Sequence, residues 1–269
     1  MKYSIITINY NNREGLRKTI ESVINQTYTD FEYIVIDGGS TDGSVEVIQQ
    51  YADKIGYWVS EPDKGIYNAM NKGIVQAHGD FLIFMNSGDC FYNTHILENM
   101  ANQCTADIIV GRVANADQNG QRTSYSIRIK NASMFHFFNS TLPHQGSFIK
   151  RSLFHNHLYD ETLKIVSDWK FFMECAVFQD CDIKLTDVIV ADCEYRGASN
   201  NMQKLQEEKK QVLTSIMPAG IQKDYLSLSQ LGLSSFDMLM YIAQYPGLRK
   251  LLYRIMKIIV WVHQKLCRN

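Results

Sequence analysis

The chain lacks most of the features that would narrow its role at once. Only four of its 269 residues are proline, and there is no low-complexity tract or internal repeat, so neither a long linker nor a solenoid is expected. Charge of either sign is missing in excess: 27 Lys and Arg stand against 28 Asp and Glu, which excludes the strong positive field of a nucleic-acid binder. The six cysteines (Cys90, Cys104, Cys175, Cys181, Cys193, Cys267) form no C-x-x-C pair and no zinc spacing, which predicts reduced thiols in a cytoplasmic protein. No uncharged apolar stretch approaches the ~20 residues that span a bilayer. The apolar run in the opening MKYSIITINYNN is too short to predict a signal peptide. Motifs are missing too. G-x-G-x-x-G, G-x-x-x-x-G-K-[ST] and H-E-x-x-H do not occur, and GSTDG (Gly39 to Gly43) is not a G-x-S-x-G elbow because Ser40 follows Gly39 directly.

What is present is a core-forming alternation. Hydrophobic residues make up 45% of the chain, enough for one large α/β domain. Short β-rich runs at Tyr3–Ile8, Phe31–Ile36, Tyr57–Val59 and Phe81–Met85 are separated by segments with helical spacing at Gly15–Ile24, Val45–Tyr51 and Lys64–Ala77. Ser44 reads as the N-cap of the second helix. This rhythm predicts βαβ units and a mostly parallel, Rossmann-like sheet covered by helices on both faces. Right-handed crossovers then bring the carboxyl ends of the strands to one edge, where ligands bind.

Four polar loops follow the four strands: Asn9 and Tyr10, Asp37 to Asp42, Glu61 to Asp63, and Asn86 to Asp89. Each alone is ordinary turn chemistry. Four at one sheet edge, each with an acidic or amide side chain, predict a crevice that binds a ligand. Asp37 and Asp42 suit a base or a ribose hydroxyl. Asp63 and Asp89 suit a hard cation such as Mg²⁺ or Mn²⁺, whose shell phosphate oxygens would complete. Beyond Asp107 the chain reads as strands at Ile108–Val113, Arg122–Ile129, His144–Ile149 and Ile183–Cys193, with helices at Ser133–Asn139 and Ser167–Phe178. From Asn201 onward it reads as helical.

Four stretches in order, SIITINYNNREGLRKTIESVINQTYTDFEYIVIDGGSTDGS, WVSEPDKGIYNAMNKGIVQAHGDFLIFMNSGD, PHQGSFIKRSLF and SDWKFF, resemble family 2 glycosyltransferases of the GT-A fold. The likeness is to those that build bacterial O-antigen, capsule and exopolysaccharide. It implies a catalytic domain over residues 1–200 and a helical C-terminal extension over 201–269. It implies that Thr7, Asn9 and Tyr10 line a nucleotide pocket, that Asp37 contacts the base, and that Gly38, Gly39, Ser40 and Asp42 shape that loop. Asp63, Lys64 and Asn71 would lie near the donor phosphates and sugar. Asn86, Ser87 and Asp89 stand where the family carries an acidic metal motif, here with one carboxylate left. Asp168 would be the general base, His144, Gln145 and Trp169 would meet acceptor or sugar, and Arg196, Gly197 and Ser199 would form a loop near the diphosphate.

The implied reaction is inverting transfer of a sugar from a nucleotide-diphosphate sugar to a glycan or lipid-linked glycan, assisted by Mg²⁺ or Mn²⁺. Taken without the likeness, Asp168 reads first as a helix cap or first-turn acid, with Ser167 the better capping residue. A non-catalytic nucleotide-sugar-binding or scaffolding subunit is the alternative, because the metal motif is thinned. A sugar-1-phosphate nucleotidyltransferase is a third, and TINYNNREG matches its Gly-rich loop poorly. Finally, Leu248 to Arg268 carries Leu248, Leu251, Leu252, Ile255, Ile258, Ile259, Val262 and Leu266 on one arc, with Arg and Lys off it. A basic amphipathic helix of this kind suits the inner face of the cytoplasmic membrane; a helix docked on the catalytic domain or forming a dimer contact is the alternative.

Overall fold

The computed structural model describes residues 2–116, 122–126, 129, 131–155, 157–194, 201–230 and 232–266. It divides into two compact units, Met1–Ser215 and Ile216–Asn269.

The first unit is built on a nine-stranded sheet. Four parallel strands form one half in the order β3 (Tyr57–Ser60), β2 (Phe31–Asp37), β1 (Tyr3–Asn9), β4 (Phe81–Phe84). Every residue of β1 and β4 is buried, as the uninterrupted apolar runs require of strands covered on both faces. Helices α1 (Arg13–Ile24) and α2 (Ser44–Gln50) cover one face. Their Leu16, Ile20, Val23, Val47 and Ile48 pack with Ile5, Tyr33, Val35 and Ile83 from alternate strand positions. Helix α3 (Ile66–Gln76) covers the other face, and it comes close. A Cβ on Gly73 would lie 2.5 Å from a methyl of Ile6, so only glycine admits the helix at this depth.

The second half is mixed. After β5 (Cys90–Phe91) and α4 (Ile96–Ala101) come β6 (Ile108–Ala116), β7 (Arg122–Tyr125), α5 (Met134–Asn139), β8 (Ser147–Lys150), α6 (Ser167–Met173) and β9 (Ile183–Glu194). The sheet continues from β4 as β8-β6-β9-β5, with β7 paired to β6. Strand β8 is antiparallel to both neighbours, β6 and β9 run parallel, and β5 closes the edge antiparallel to β9. Helix α7 (Met202–Ile216) ends this unit. The α/β layout predicted from the alternation is observed.

Local readings shift in three places. The N-cap of α2 is Gly43 rather than Ser44, because the Asp42 carboxylate accepts from both the Ser44 amide and its hydroxyl. His144 to Gly146 forms a 3₁₀ turn ahead of β8 instead of opening the strand. The helix expected over Ser167–Phe178 stops as α-helix at Met173 and finishes in a wider π turn over Glu174–Phe178. Ser167 does not cap it, since its hydroxyl accepts from the Asp160 amide at 2.6 Å.

The second unit is helical: α8 (Ala219–Ser229), α9 (Gly232–Ala243) and α10 (Pro246–Leu266). Among the described residues no helix is long and apolar enough to cross a membrane. Cys267, Arg196, Gly197 and Ser199 lie outside the described residues.

Candidate active site

The parallel register sets the donor side of the crevice. Asn9 is paired with Asp37 and Asp37 with Ser60, so three polar side chains stand in one row at the strand ends. Asp37 is fully buried, and four donors converge on it. They are the Ser40 amide at 2.9 Å, the Ser40 hydroxyl at 2.6 Å, the Ser60 hydroxyl at 2.6 Å and the Asn9 amide group at 2.7 Å. Burial disfavours the charge on Asp37, yet the bonds from Ser40, Ser60 and Asn9 win and hold its carboxyl below the usual aspartate range. Four donors fill the lone-pair positions of one carboxylate. Asp37 therefore organises its loop and offers no spare acceptor to a base, which corrects the expectation of direct contact.

Its neighbours follow suit. The Ser40 hydroxyl also accepts from the Asn11 amide at 2.8 Å and from Asn9 at 3.2 Å. Asn9 is buried, and its Oδ1 is left without a hydrogen-bond partner. Gly39 turns the chain at φ +80°. Tyr10 is 67% exposed and free to meet a planar ring. A Cβ on Gly38 would lie 2.5 Å from a carboxylate oxygen of Asp63 and 3.1 Å from the Tyr10 ring, so glycine lets these two side chains form one wall. Asp63 itself accepts from the Gly65 amide at 2.8 Å.

Two expected donor contacts, Thr7 and Asn71, point elsewhere, and Lys64 stands exposed. Thr7 is fully buried beneath the crevice, bonded to the Met85 carbonyl at 2.7 Å and the Tyr33 hydroxyl at 2.9 Å. Asn71 spends its side chain on the Tyr159 backbone, at 2.9 and 3.0 Å, and on Glu161 at 2.9 Å. Lys64 is exposed beyond β3, its carbonyl accepting from the Lys164 ammonium at 3.1 Å.

The acid side is assembled by residues far apart in sequence. Asp168 sits in the first turn of α6. The helix is pinned by an aromatic cluster in which Phe171 stacks on Phe154 with ring centres 4.5 Å apart. Asp168 Oδ1 accepts from the Tyr67 hydroxyl at 2.7 Å, and its Oδ2 lies 3.3 Å from His144 Nδ1. Burial would raise the Asp168 carboxyl, but His144 and then Tyr67 hold it below the usual range. Burial would lower His144, and the hydrogen bond and charge of Asp168 instead raise it. With the ring proton on Nδ1, His144 Nε2 accepts from the Asn86 amide group at 3.2 Å. The adjacent Gln145 donates to Asp89 Oδ2 at 3.2 Å.

The HQG turn thus bridges two carboxylates, Asp168 through His144 and Asp89 through Gln145. The loop carrying Asp89 is tied down by its own turn bond, Asp89 amide to Asn86 carbonyl at 2.9 Å. Thr19 adds a bond to the Asp89 carbonyl at 2.7 Å, and Asn12 one to the Ser87 carbonyl at 3.2 Å. Trp169 takes no part in the crevice. Its ring is 2% exposed, its N–H donates to the Phe137 carbonyl at 2.8 Å, and the Lys209 ammonium lies 4.9 Å from its ring centre. Sugar stacking is therefore replaced by core packing.

Comparisons with known proteins give the family and the fold. The model of "Glycosyl transferase family 2" matches residues 4–174. The chain belongs to glycosyltransferase family 2. An uncharacterized glycosyltransferase of Mycobacterium tuberculosis is 34% identical over 184 residues, covering 65% of this chain and 68% of that one. A PGL/p-HBAD biosynthesis glycosyltransferase of Mycobacterium bovis is 28% identical over 209 residues, covering 74% and 80%.

Among solved structures, S. aureus TarS residues 1–349 with UDP-GlcNAc superposes with TM-score 0.61 at 20% identity, covering 74% of this chain and 60% of that one. This chain covers 42% of a longer TarS chain, at TM-score 0.63. A Pyrobaculum calidifontis mannosyltransferase with GDP-Man and Mn²⁺ superposes with TM-score 0.61 at 14% identity, covering 96% and 80%. These neighbours share the GT-A fold. The family 2 enzyme is a glycosyltransferase, and its candidate site gains one residue that the motifs did not single out, Tyr67.

Proposed function

We propose that this glycosyltransferase moves a sugar from a nucleotide-diphosphate sugar to an acceptor hydroxyl with inversion, in the synthesis of a cell-surface polysaccharide or glycolipid. The observation that carries this reading is the convergence of Asp168 and Asp89 on the adjacent residues His144 and Gln145. The chemistry needs a proton acceptor on one side of the anomeric carbon and charge neutralisation on the other.

Asp168 takes the acceptor's proton as the hydroxyl oxygen bonds to the anomeric carbon. The bond to the diphosphate breaks on the opposite side, and its electron pair leaves with the diphosphate. One displacement inverts the configuration. Tyr67 and His144 keep Asp168 ionised and aimed. The wall of Tyr10, Gly38 and Asp63 receives the nucleotide, with the exposed Tyr10 ring available for stacking on the base.

A divalent cation fits the NSGD loop. Asn86 Oδ1 is a buried oxygen without a hydrogen-bond partner, and Asp89 supplies a carboxylate. Oxygen donors of these two kinds suit Mg²⁺ or Mn²⁺. When bound, such an ion supplies charge to the departing diphosphate. Among the described residues no three His, Cys, Asp or Glu side chains cluster to hold a metal, so the protein's share of the shell is small. The same fact favours the second reading, a donor-binding subunit without activity.

A panel of UDP-, GDP- and dTDP-sugars, screened for thermal stabilisation with and without Mn²⁺, selects the donor. Transfer from that donor with inverted product, lost in Asp168→Asn while nucleotide binding stays, supports the enzyme. Wild-type binding without transfer to any acceptor supports the subunit.

The second unit suits an anionic membrane surface at the cytoplasmic leaflet, where lipid-linked acceptors stand. In α10, Leu251, Ile255, Ile258, Ile259 and Trp261 are exposed, as are Met238 to Tyr241 in α9. Lys257 and Lys265 lie over the Tyr253 and Trp261 rings at 4.8 and 4.3 Å, so cation and aromatic stand side by side. Removal of residues 246–269 is expected to abolish sedimentation with phosphatidylglycerol vesicles. Undiminished sedimentation would reject membrane docking by α10.

A further inference from the structure

Glu208 is a carboxylate where a surface helix has no need of one. It lies in α7, beyond the span matched by the family model, in the run LQEEKKQVL. Leu205, Glu208 and Val212 follow the spacing of a buried stripe, and Glu208 is indeed buried. Acidic side chains are seldom buried without partners. The partners here are two backbone amides. Glu208 Oε1 accepts from Lys164 N at 2.9 Å, while Oε2 accepts from Ile165 N at 2.8 Å and from Lys164 N at 3.1 Å.

These amides immediately precede α6. Val166 is the N-cap, and its side chain makes no capping bond. The helix start is held instead from outside, by Glu208 below and by the Ser167 hydroxyl on Asp160 N. The loop is also strapped to α3. Glu161 accepts from Asn68 and Asn71, each at 2.9 Å, and Tyr159 exchanges bonds with Asn71. The residue after Glu208, Lys209, places its ammonium over the ring of Trp169, the residue that follows Asp168 in sequence, and donates to the Ser140 carbonyl at 3.3 Å. Two consecutive residues of α7 therefore grip both sides of the turn that carries the candidate base.

We propose that Glu208 is a positioning residue for the transfer reaction: by fixing the Lys164 and Ile165 amides it sets where Asp168 meets the acceptor hydroxyl. The proposal rests on the reading of Asp168 as the base. It makes α7 part of the catalytic apparatus although the family model ends at residue 174. Displacements of about 1 Å in such a group cost roughly a hundredfold in rate, so kcat is the sensitive quantity.

The test is a double-mutant cycle between Glu208→Gln and Asp168→Asn in the full chain, with the donor from the nucleotide-sugar panel and UDP binding in Mn²⁺ as the control. Gln keeps the size of the side chain but replaces one acceptor oxygen by an NH₂ that faces a backbone N–H. Glu208→Gln is expected to lower kcat about 10- to 100-fold, with KM for the donor and UDP affinity within about twofold of wild type. In the Asp168→Asn background the same change is expected to have almost no effect, because the group it aims has gone. Glu208→Asp, which keeps the charge, is expected to recover part of kcat.

Loss of kcat, UDP affinity and thermal stability together, or an equal loss in both backgrounds, would overturn the proposal and leave Glu208 a packing residue. So would wild-type kcat in Glu208→Gln. Full transfer by Asp168→Asn alone would instead remove the base reading, and the positioning role with it. Should Glu208→Gln fold poorly, Glu208→Asp decides by the same cycle.

Discussion

The two halves of the sheet hold their carboxylates in different ways. In the parallel half, Asp37 is fixed by its own neighbourhood. Asn9 and Ser60 stand beside it by strand register, and Ser40 lies three residues on. In the mixed half, Asp168 is fixed from a distance. Tyr67 is 101 residues away, and His144 and Glu208 come from two further segments. The first carboxylate is spent on structure, with every acceptor site filled. The second keeps lone pairs for a substrate. A half held by register tolerates packing changes elsewhere, whereas a half held by distant contacts makes its chemistry depend on them.

Experiments can break or sharpen that contrast. The largest effect belongs to Asp168→Asn, which is expected to reduce kcat by roughly 10²–10⁴-fold with nucleotide affinity unchanged, measured by transfer kinetics and by titration with UDP. Asp37→Asn should do the reverse. It leaves an NH₂ group facing buried donors and is expected to cost about 2–3 kcal/mol in urea unfolding and to weaken nucleotide binding. An Asp37→Asn protein as stable as wild type would erase the distinction between the halves. Tyr67→Phe removes one bond to the Asp168 carboxylate. A kcat loss of about tenfold is expected, with UDP affinity kept.

The pH dependence is smaller and has two signs. Asp37 and Asp168 are held below the ordinary aspartate value. Their contribution is present above about pH 4 and is lost as pH falls through the folded values. His144 is raised, so its contribution is complete below about pH 6.5 and is lost as pH rises through its folded value. Unfolding free energy is therefore expected to be highest between these limits, and His144→Gln should remove the alkaline decline and also weaken the acid one, because His144 is the first of the partners that hold Asp168 low. Asn86→Asp restores a carboxylate to the NSGD loop. It is expected to tighten Mn²⁺ binding a few-fold by calorimetry, the smallest change of the set.

The same contrast decides how much could be read from the residues alone. Strand ends in βαβ units must share an edge, so the placement of Asn9, Asp37, Asp63 and Asp89 along one sheet edge was legible. What side chains do there was less so. Thr7 and Asn71 turn into the body of the protein because backbone and hydroxyl partners compete for them. Trp169 is claimed by the Phe137 carbonyl and by packing. Asp168 was legible through its motif, but Tyr67 looked like one more helix residue, since only tertiary packing brings α3 against α6. Glu208 did leave a trace, a charged residue at an apolar position of the helical repeat.

The sheet's rims have a consequence of their own. Strands β3, β5 and β7 are four, two and four residues long, and they leave little ladder for another polypeptide to extend. A fold whose interior strands are almost purely apolar would otherwise be prone to stack edge to edge when crowded at high local density. Short rims offer little template for that stacking.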